Sequence, residues 1–228
     1  MTAKHSYFLL PGFSQTPGAW AGVVELMGDA ASAMALAVPD GLGFVPAAGR
    51  LAEHRRGLWA GYSLGGRLAL QIALDHPDRV EGLALVSSTA GITDEASRAA
   101  RRRQDDELAA WIEDNGIDAF LDRWLSQPLF ATLDRTAARR HRLGSAPAVA
   151  GQLRLLGQGV QHPLWDRLSE LTMPVAVVAG ELDIVYRAVA EEMAAAIGSN
   201  ASVTIVAGAG HALLLESPDE VAAILDDL

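Results

Sequence analysis

Ser63 stands in Gly61-Tyr62-Ser63-Leu64-Gly65-Gly66, the spacing G-x-S-x-G that sets a hydroxyl on a tight strand-to-helix turn. The flanking glycines permit a cramped backbone and a close helix–strand approach. Backbone N–H groups of the helix start, with the helix dipole, favour negative charge developing beside that hydroxyl. A serine hydroxyl is inert at neutral pH without a base, so the reading demands a histidine and a carboxylate to orient it. Of the six histidines, His5 is terminal, His54 lies in Glu53-His54-Arg55-Arg56, and His76 ends a helical run before Pro77. His141 sits among arginines and His162 precedes Pro163, contexts that suit structural or solvated imidazoles. His211 differs, because it follows an apolar β-like run through Ala207-Gly208-Ala209-Gly210. Asp183 follows another such run through Gly180-Glu181-Leu182, with Glu181 as its nearest rival. A lone Asp or His after a strand is usually a cap or turn residue; three groups, each at its own strand end, form a joint signal.

An oxyanion formed at this site needs two preorganised donors. The N–H of Leu64, directly after the serine, is one; the first-strand turn Pro11-Gly12-Phe13 offers the other, with Phe13 as the expected donor. Pro11 has no N–H, and the reading leaves those of Gly12 and Phe13 free. Arg67 lies four residues after Ser63, one helical turn on and on the same face, where a guanidinium can bind a carboxylate bidentately. On an arbitrary helix such an arginine would reach for solvent. Arg98, Arg101, Arg102 and Arg103 open a later helix, and helical spacing lets one of them face the cleft.

These groups need elements to carry them. Apolar β-like runs at 7–10, 34–38, 58–60, 83–86, 175–179 and 203–206 alternate with helical patterns, which predicts an α/β fold with a mostly parallel sheet. Clefts of such sheets open at the carboxyl ends of the strands, where the turns named above fall. The alternation stops between about residues 92 and 171. That stretch reads as helices over 94–111, 119–125, 135–143 and 148–156, broken at Asn115-Gly116, Pro128 and Gly144. The expectation is one domain: a core of residues 1–91 and 172–228, with 92–171 as a helical lid over the strand ends.

Composition removes whole classes. The 228 residues include 18 Lys+Arg against 28 Asp+Glu, a formal net charge of −10. A chain this acidic repels phosphate backbones, so nucleic acid is not an expected partner. The absence of cysteine excludes disulfides, thiolate nucleophiles and sulfur-ligated zinc. No bound metal or organic cofactor is expected. The start, Met1-Thr2-Ala3-Lys4-His5 followed by Tyr7-Phe8-Leu9-Leu10, lacks a secretory apolar core, and the uncharged run from Ser6 to Val24 is broken by Pro11, Gly12 and Pro17. The expectation is a cytoplasmic, soluble protein without a membrane partner, a monomer or small homo-oligomer.

Taken together, the chain resembles the α/β-hydrolase superfamily, whose triads run in the order Ser63, Asp183, His211 found here. Within it, the chain resembles the 2-succinyl-6-hydroxy-2,4-cyclohexadiene-1-carboxylate synthases of menaquinone biosynthesis. The likeness rests on Gly12-Phe13-Ser14, on Gly61 through Arg67, on Arg98-Ala99-Ala100-Arg101 with Asp105, and on Phe120 through Trp124 to Gln127-Pro128-Leu129-Phe130. It extends to Leu164-Trp165, to Gly180-Glu181-Leu182-Asp183 with Arg187-Ala188, and to Gly210-His211 with Glu216 and Pro218. The resemblance implies a lyase that removes pyruvate from a cyclohexene bearing a succinyl group, an enolpyruvyl-type group and a carboxylate. Ser63, with His211 and Asp183, would take a ring proton, and the amides of Phe13 and Leu64 would hold the enolate. The same resemblance implies Arg67 and Arg101 on the carboxylates, Tyr62 and Trp124 lining the site, and a third arginine from the later lid, a position that aligns poorly here and for which Arg142 is the candidate.

The sequence departs from the family pattern at Pro11, where the turn usually begins His-Gly, at Val185, often basic, and at Leu214, commonly a second histidine. The segment between residues 43 and 58 is short, with little room expected for a full helix. An alternative on the same scaffold is a serine hydrolase of esters or carbon–carbon bonds, or a cyclase, acting on a small anionic substrate. A non-catalytic binding module would be expected to lose a triad member, and none is missing.

Overall fold

A computed structural model describes residues 6–28 and 32–228; His5 and the residues before it lie outside the described part. Six strands, β1 (Ser6–Leu10), β2 (Ser32–Ala35), β3 (Gly57–Tyr62), β4 (Val80–Val86), β5 (Val175–Gly180) and β6 (Ala201–Val206), form one sheet in the order β2-β1-β3-β4-β5-β6. Every adjacent pair is parallel. The helices are α1 (Ala21–Leu26), α2 (Phe44–Leu51), α3 (Leu64–Asp75), α4 (Glu95–Leu125), α5 (Arg135–Arg139), α6 (Ala146–Leu156), α7 (Ile184–Ile197), α8 (Leu213–Glu216) and α9 (Pro218–Asp226).

Alternation along the strands builds two cores. Phe8, Leu10, Trp59, Leu83, Leu85, Val175 and Val177 point to one face and pack against α2, α3 and α7. Tyr7, Leu9, Leu58, Ala60, Ala84, Val86, Ala176 and Val178 point to the other, against α1, α8 and α9. A parallel sheet is covered on both faces because the crossover helices lie there, and its central strands are accordingly apolar throughout. The register pairs Leu10 with Gly61, Tyr62 with Val86 and Gly180 with Val206, so the carboxyl ends of β1, β3, β4, β5 and β6 share one edge. Strand order reverses beside β1, which places the turns after β1 and β3 next to each other at a switch point, where open α/β sheets form clefts.

The β4–β5 connection contributes no strand to the sheet. Its α4 and α6 bury Ala109, Ile112, Phe120, Leu121, Val149, Ala150 and Leu153 against each other. At Gly116, φ 82° and ψ 174° interrupt α4, a backbone region that glycine alone occupies readily. The break expected at Asn115-Gly116 is therefore present: two helical segments meet at a sharp kink at Gly116.

Three expectations are corrected in detail. Strand β2 spans Ser32–Ala35 rather than 34–38; Leu36 and Val38 follow it as buried residues of the first core. The short segment before β3 does hold a helix, α2, because Pro46 falls in its first turn, where a missing N–H is harmless. The helix expected over 135–143 closes at Arg139. Among the described residues, no helix is long and apolar enough to cross a membrane.

Candidate active site

Ser63 links β3 to α3 with φ 52° and ψ −108°, a conformation outside the usual regions for a non-glycine residue. The surroundings hold it there. Ser63 N–H donates to the Val86 carbonyl at 2.9 Å, and its own carbonyl accepts from Arg67 N–H at 3.1 Å and from Ser88 Oγ at 3.1 Å. A Cβ on Gly61 would lie 2.2 Å from the Gly65 backbone, and one on Gly65 would lie 2.1 Å from the Leu10 carbonyl oxygen. The glycine spacing read from the sequence is thus a packing requirement between three elements. Such strained backbone persists only where its neighbours over-determine it.

Asp183 and His211 come together at the neighbouring strand ends. His211 Nδ1 lies 2.6 Å from Asp183 Oδ2, with both side chains about 3% exposed. Asp183 Oδ1 also accepts from Tyr186 N–H at 3.3 Å, capping α7. Glu181 instead turns outward, where its carboxylate accepts from Gly208 N–H at 2.8 Å. A short contact to Nδ1 fixes the imidazole so that Nε2 is the nitrogen left for chemistry. The residues flanking His211 are held as well: Glu216 accepts from Gly210 N–H at 2.7 Å, Ala212 N–H at 3.0 Å and Thr132 Oγ1 at 2.8 Å.

Ser63 and His211 line one cavity of about 330 Å³ beneath α4 and α6, together with Phe13, Tyr62, Leu64, Arg67, Arg101, Trp124 and Arg142. All of the residues singled out on sequence grounds for the site border it except Asp183, which stands behind His211. The amides around it sort themselves. Gly12 N–H donates to Gln15 Oε1 at 2.8 Å and Ser14 N–H to Gln152 Oε1 at 3.0 Å. Gly12 N–H is therefore occupied, not free, and Phe13 N–H is the amide of that turn with no acceptor among the described residues. Leu64 N–H, in the first turn of α3, is likewise one of the donors that a helix leaves unpaired.

Three guanidinium groups border the cavity. Arg67 is almost fully buried, donating to Gln161 Oε1 at 3.0 Å and to the Leu156 carbonyl at 2.9 Å, with Phe44 beneath its plane. Burial pushes its pKa down to about 10, still far above neutrality, so it is a cation at working pH. Arg101 donates through Nε to the buried Asp105 at 2.8 Å and through Nη1 to Gln158 Oε1 at 3.2 Å. Arg142 donates to Ser14 Oγ at 2.9 Å and to the Phe13 carbonyl at 3.2 Å, which ties the α5–α6 connection to the first turn. Burial lowers its pKa too. Arg98 turns away and donates to the Ile92 carbonyl at 3.1 Å. Burial raises the Tyr62 hydroxyl pKa, so it stays a neutral phenol.

Several lining residues carried no sequence signal of their own: Gln152, Gln158 and Tyr186 among them. Asp105 did, standing four residues after Arg101, the spacing of a helical ion pair. Arg67, Arg101 and Arg142 supply donors among apolar and aromatic lining residues. Asp105 Oδ1 is engaged by Arg101 while its buried Oδ2 has no partner among the described residues, so the cavity can take a ligand that carries acceptor oxygens on an apolar frame. Among the described residues, no group of three or more His, Asp and Glu is placed to hold a metal ion.

Known proteins resemble the chain along its length. It is 34% identical over 175 residues to 2-succinyl-6-hydroxy-2,4-cyclohexadiene-1-carboxylate synthase of Citrobacter koseri, which covers 74% of this chain and 65% of the relative. Protein PHYLLO, chloroplastic, from Arabidopsis thaliana is 33% identical over 171 residues, 69% of this chain and 10% of that protein. The chain spans 60–65% of the length of the bacterial curated relatives it matches. The solved structure of MenH from S. aureus superposes with a TM-score of 0.87 at 26% identity, covering 99% of this chain and 93% of the other. An enol-lactonase from Burkholderia xenovorans, at 19% identity and a TM-score of 0.69 over 98% of this chain and 90% of its own, shares the fold. Residues 7–224 match the profile of the Alpha/beta hydrolase family, and with the G-x-S-x-G turn and the acid–imidazole pair at its strand ends the chain belongs to that family.

Proposed function

We propose that the protein is a lyase that eliminates pyruvate from a succinyl- and enolpyruvyl-substituted hydroxycyclohexene carboxylate, giving 2-succinyl-6-hydroxy-2,4-cyclohexadiene-1-carboxylate in menaquinone biosynthesis. The observation that carries this reading is the meeting of Arg67, Arg101 and Arg142 around one cavity with Ser63 and His211. A neutral ester has no use for three guanidinium groups; a substrate with several carboxylates needs them to offset its own desolvation. Relatives bearing the synthase name support the same substrate class.

In this scheme Ser63 Oγ takes the ring proton next to the succinyl carbonyl while His211 Nε2 accepts the serine's own proton. Asp183 holds the imidazole and offsets the charge it gains. The electron pair released by the carbon–hydrogen bond forms an enolate, whose oxygen takes the amides of Phe13 and Leu64. The enolate collapses to a ring double bond and breaks the carbon–oxygen bond to the side chain. The departing enolpyruvate takes the proton from His211 and tautomerises to pyruvate. No acyl-enzyme forms, no redox equivalent is used, and the helices between β4 and β5 act as a lid that keeps water from the cavity.

The test is incubation with the cyclohexene intermediate, following pyruvate release and the mass of the intact protein. Wild type should release stoichiometric pyruvate with no adduct on Ser63, and Ser63→Ala should be folded and inactive. A covalent adduct at Ser63 with burst kinetics would support hydrolysis instead. Pyruvate release by Ser63→Ala near the wild-type rate would reject the mechanism.

A further inference from the structure

Beyond the groups assigned above, one polar chain runs along the cavity wall with every hydrogen-bond direction fixed. Asp105 is buried, and its Oδ1 accepts a hydrogen bond from Arg101 Nε–H at 2.8 Å. Arginine only donates, so Arg101 Nη1, 3.2 Å from Gln158, must face that side chain's carbonyl oxygen. The amide of Gln158 is thereby oriented: its NH2 group faces Tyr186 and donates to the phenol oxygen at 3.0 Å. Tyr186 Oη therefore accepts a hydrogen bond from Gln158 and keeps its own O–H to donate. Among the described residues, nothing accepts it.

Position makes that unspent donor useful. Tyr186 follows Asp183 by three residues in the first turn of α7, and its ring centroid lies 4.5 Å from that of His211. It borders the same cavity as Arg67 and Arg101. Burial raises its pKa, while the nearby guanidinium groups and the bond from Gln158 oppose the rise, so the phenol keeps its proton at neutral pH. A neutral hydroxyl locked as donor discriminates sharply, since it rewards an acceptor oxygen and leaves an unpaired group against anything else.

We infer that Tyr186 is a specificity-determining residue whose O–H, oriented through Asp105, Arg101 and Gln158, donates to the substrate carboxylate that Arg101 binds. The inference rests on the polycarboxylate reading of the site but not on the elimination chemistry. The bond is made in the bound substrate and kept through the reaction, so it is felt in KM more than in kcat.

Tyr186→Phe keeps the ring and removes only the oxygen. It should raise KM for the cyclohexene substrate about tenfold with kcat changed less than threefold, and raise the Kd of phthalate, titrated by tryptophan fluorescence, by a similar factor. Gln158→Leu leaves the phenol without its orienting partner and should weaken phthalate binding by a smaller factor. Because Gln158 also accepts from Arg101, the loss in the double variant can exceed that of Tyr186→Phe alone, but it should fall short of the product of the two single losses, since they share the Tyr186 bond. If wild type binds phthalate and Tyr186→Phe weakens it, the inference holds even where no pyruvate is released, and only the lyase reading falls. Equal phthalate affinity in Tyr186→Phe and wild type, or no phthalate binding by wild type, overturns the inference.

Discussion

Arg67 shows how far a single residue's role can be taken from its neighbours. Its guanidinium is held in the protein interior by two acceptors, the Gln161 side chain and the Leu156 carbonyl, and by the Phe44 ring. The two acceptors leave part of its donor fork for the cavity, and they come from the β4–β5 connection whereas Phe44 comes from α2, so the arginine is shared between the core and the segment over it. Arg67→Ala should lower kcat/KM for the carboxylate substrate by at least ~100-fold, about 2.7 kcal/mol. Steady-state kinetics measures this, and a value within threefold of wild type would place the guanidinium outside the substrate's reach. What the sequence revealed at this scale followed chemistry with a fixed spacing: Ser63 between its glycines, Arg67 one turn later, His211 and Asp183 after apolar runs. Tyr186, Gln158 and Gln152 escaped because an uncharged polar residue on a helix has no spacing rule, and its value comes only from what the tertiary fold sets beside it.

At the scale of elements, the positions where a side chain is forbidden are as informative as those where one is required. Gly65 sits where α3 crosses the end of β1, and a Cβ there would meet the Leu10 carbonyl oxygen at 2.1 Å. Backbone cannot yield as a flexible side chain can, so Gly65→Ala should destabilise by at least ~2 kcal/mol and lower the thermal midpoint accordingly. Gly151, with open space around the same position in α6, provides the control: Gly151→Ala should be neutral or stabilising by up to about 1 kcal/mol. Glu216 is a second element-level device. Its carboxylate binds the N–H groups on both sides of His211 and the hydroxyl of Thr132, so α8 holds the imidazole loop by its flanks. Glu216→Ala should cut kcat at least tenfold while leaving KM within threefold, because it frees the base rather than the carboxylate sites. A loss confined to KM would contradict that division. The strands were legible because a buried parallel sheet needs continuous apolar runs. Helix α2 was not, since the short segment before β3 reads as leaving little room for a full helix, whereas the eight residues Phe44–Leu51 suffice for two turns with Pro46 harmless in the first.

Among the described residues, the sheet has two apolar faces, α4 and α6 enclose a third core, Leu125, Phe130, Ala138 and Ala212 form a fourth, and the cavity lies between the sheet edge and these helices. The seam is stitched by backbone bonds from Thr16 N–H to the His141 carbonyl at 2.9 Å and from Leu143 N–H to the Ser14 carbonyl at 2.8 Å, and by the Arg142 and Gln152 side chains. A chain of net charge −10 nevertheless sets three guanidinium groups around this cavity, and Asp105 pairs with one of them, Arg101. On the carboxylate reading proposed above, a dicarboxylate bound there would offset that charge and contact the sheet edge and the helices over it at once, which would stabilise the molecule as a unit. At a phthalate concentration a hundred times its Kd, linkage gives about 2.7 kcal/mol. For a chain of this size that is a rise of about 5–10 °C in the unfolding midpoint. Dimethyl phthalate has nearly the same shape and no charge, and it should leave the midpoint within about 1 °C, since it offers no carboxylate to the three guanidinium groups that border the cavity. Calorimetry with the two compounds separates the explanations: equal shifts would mean that the cavity selects for ring shape, and the guanidinium groups would then be structural rather than a binding site for carboxylates.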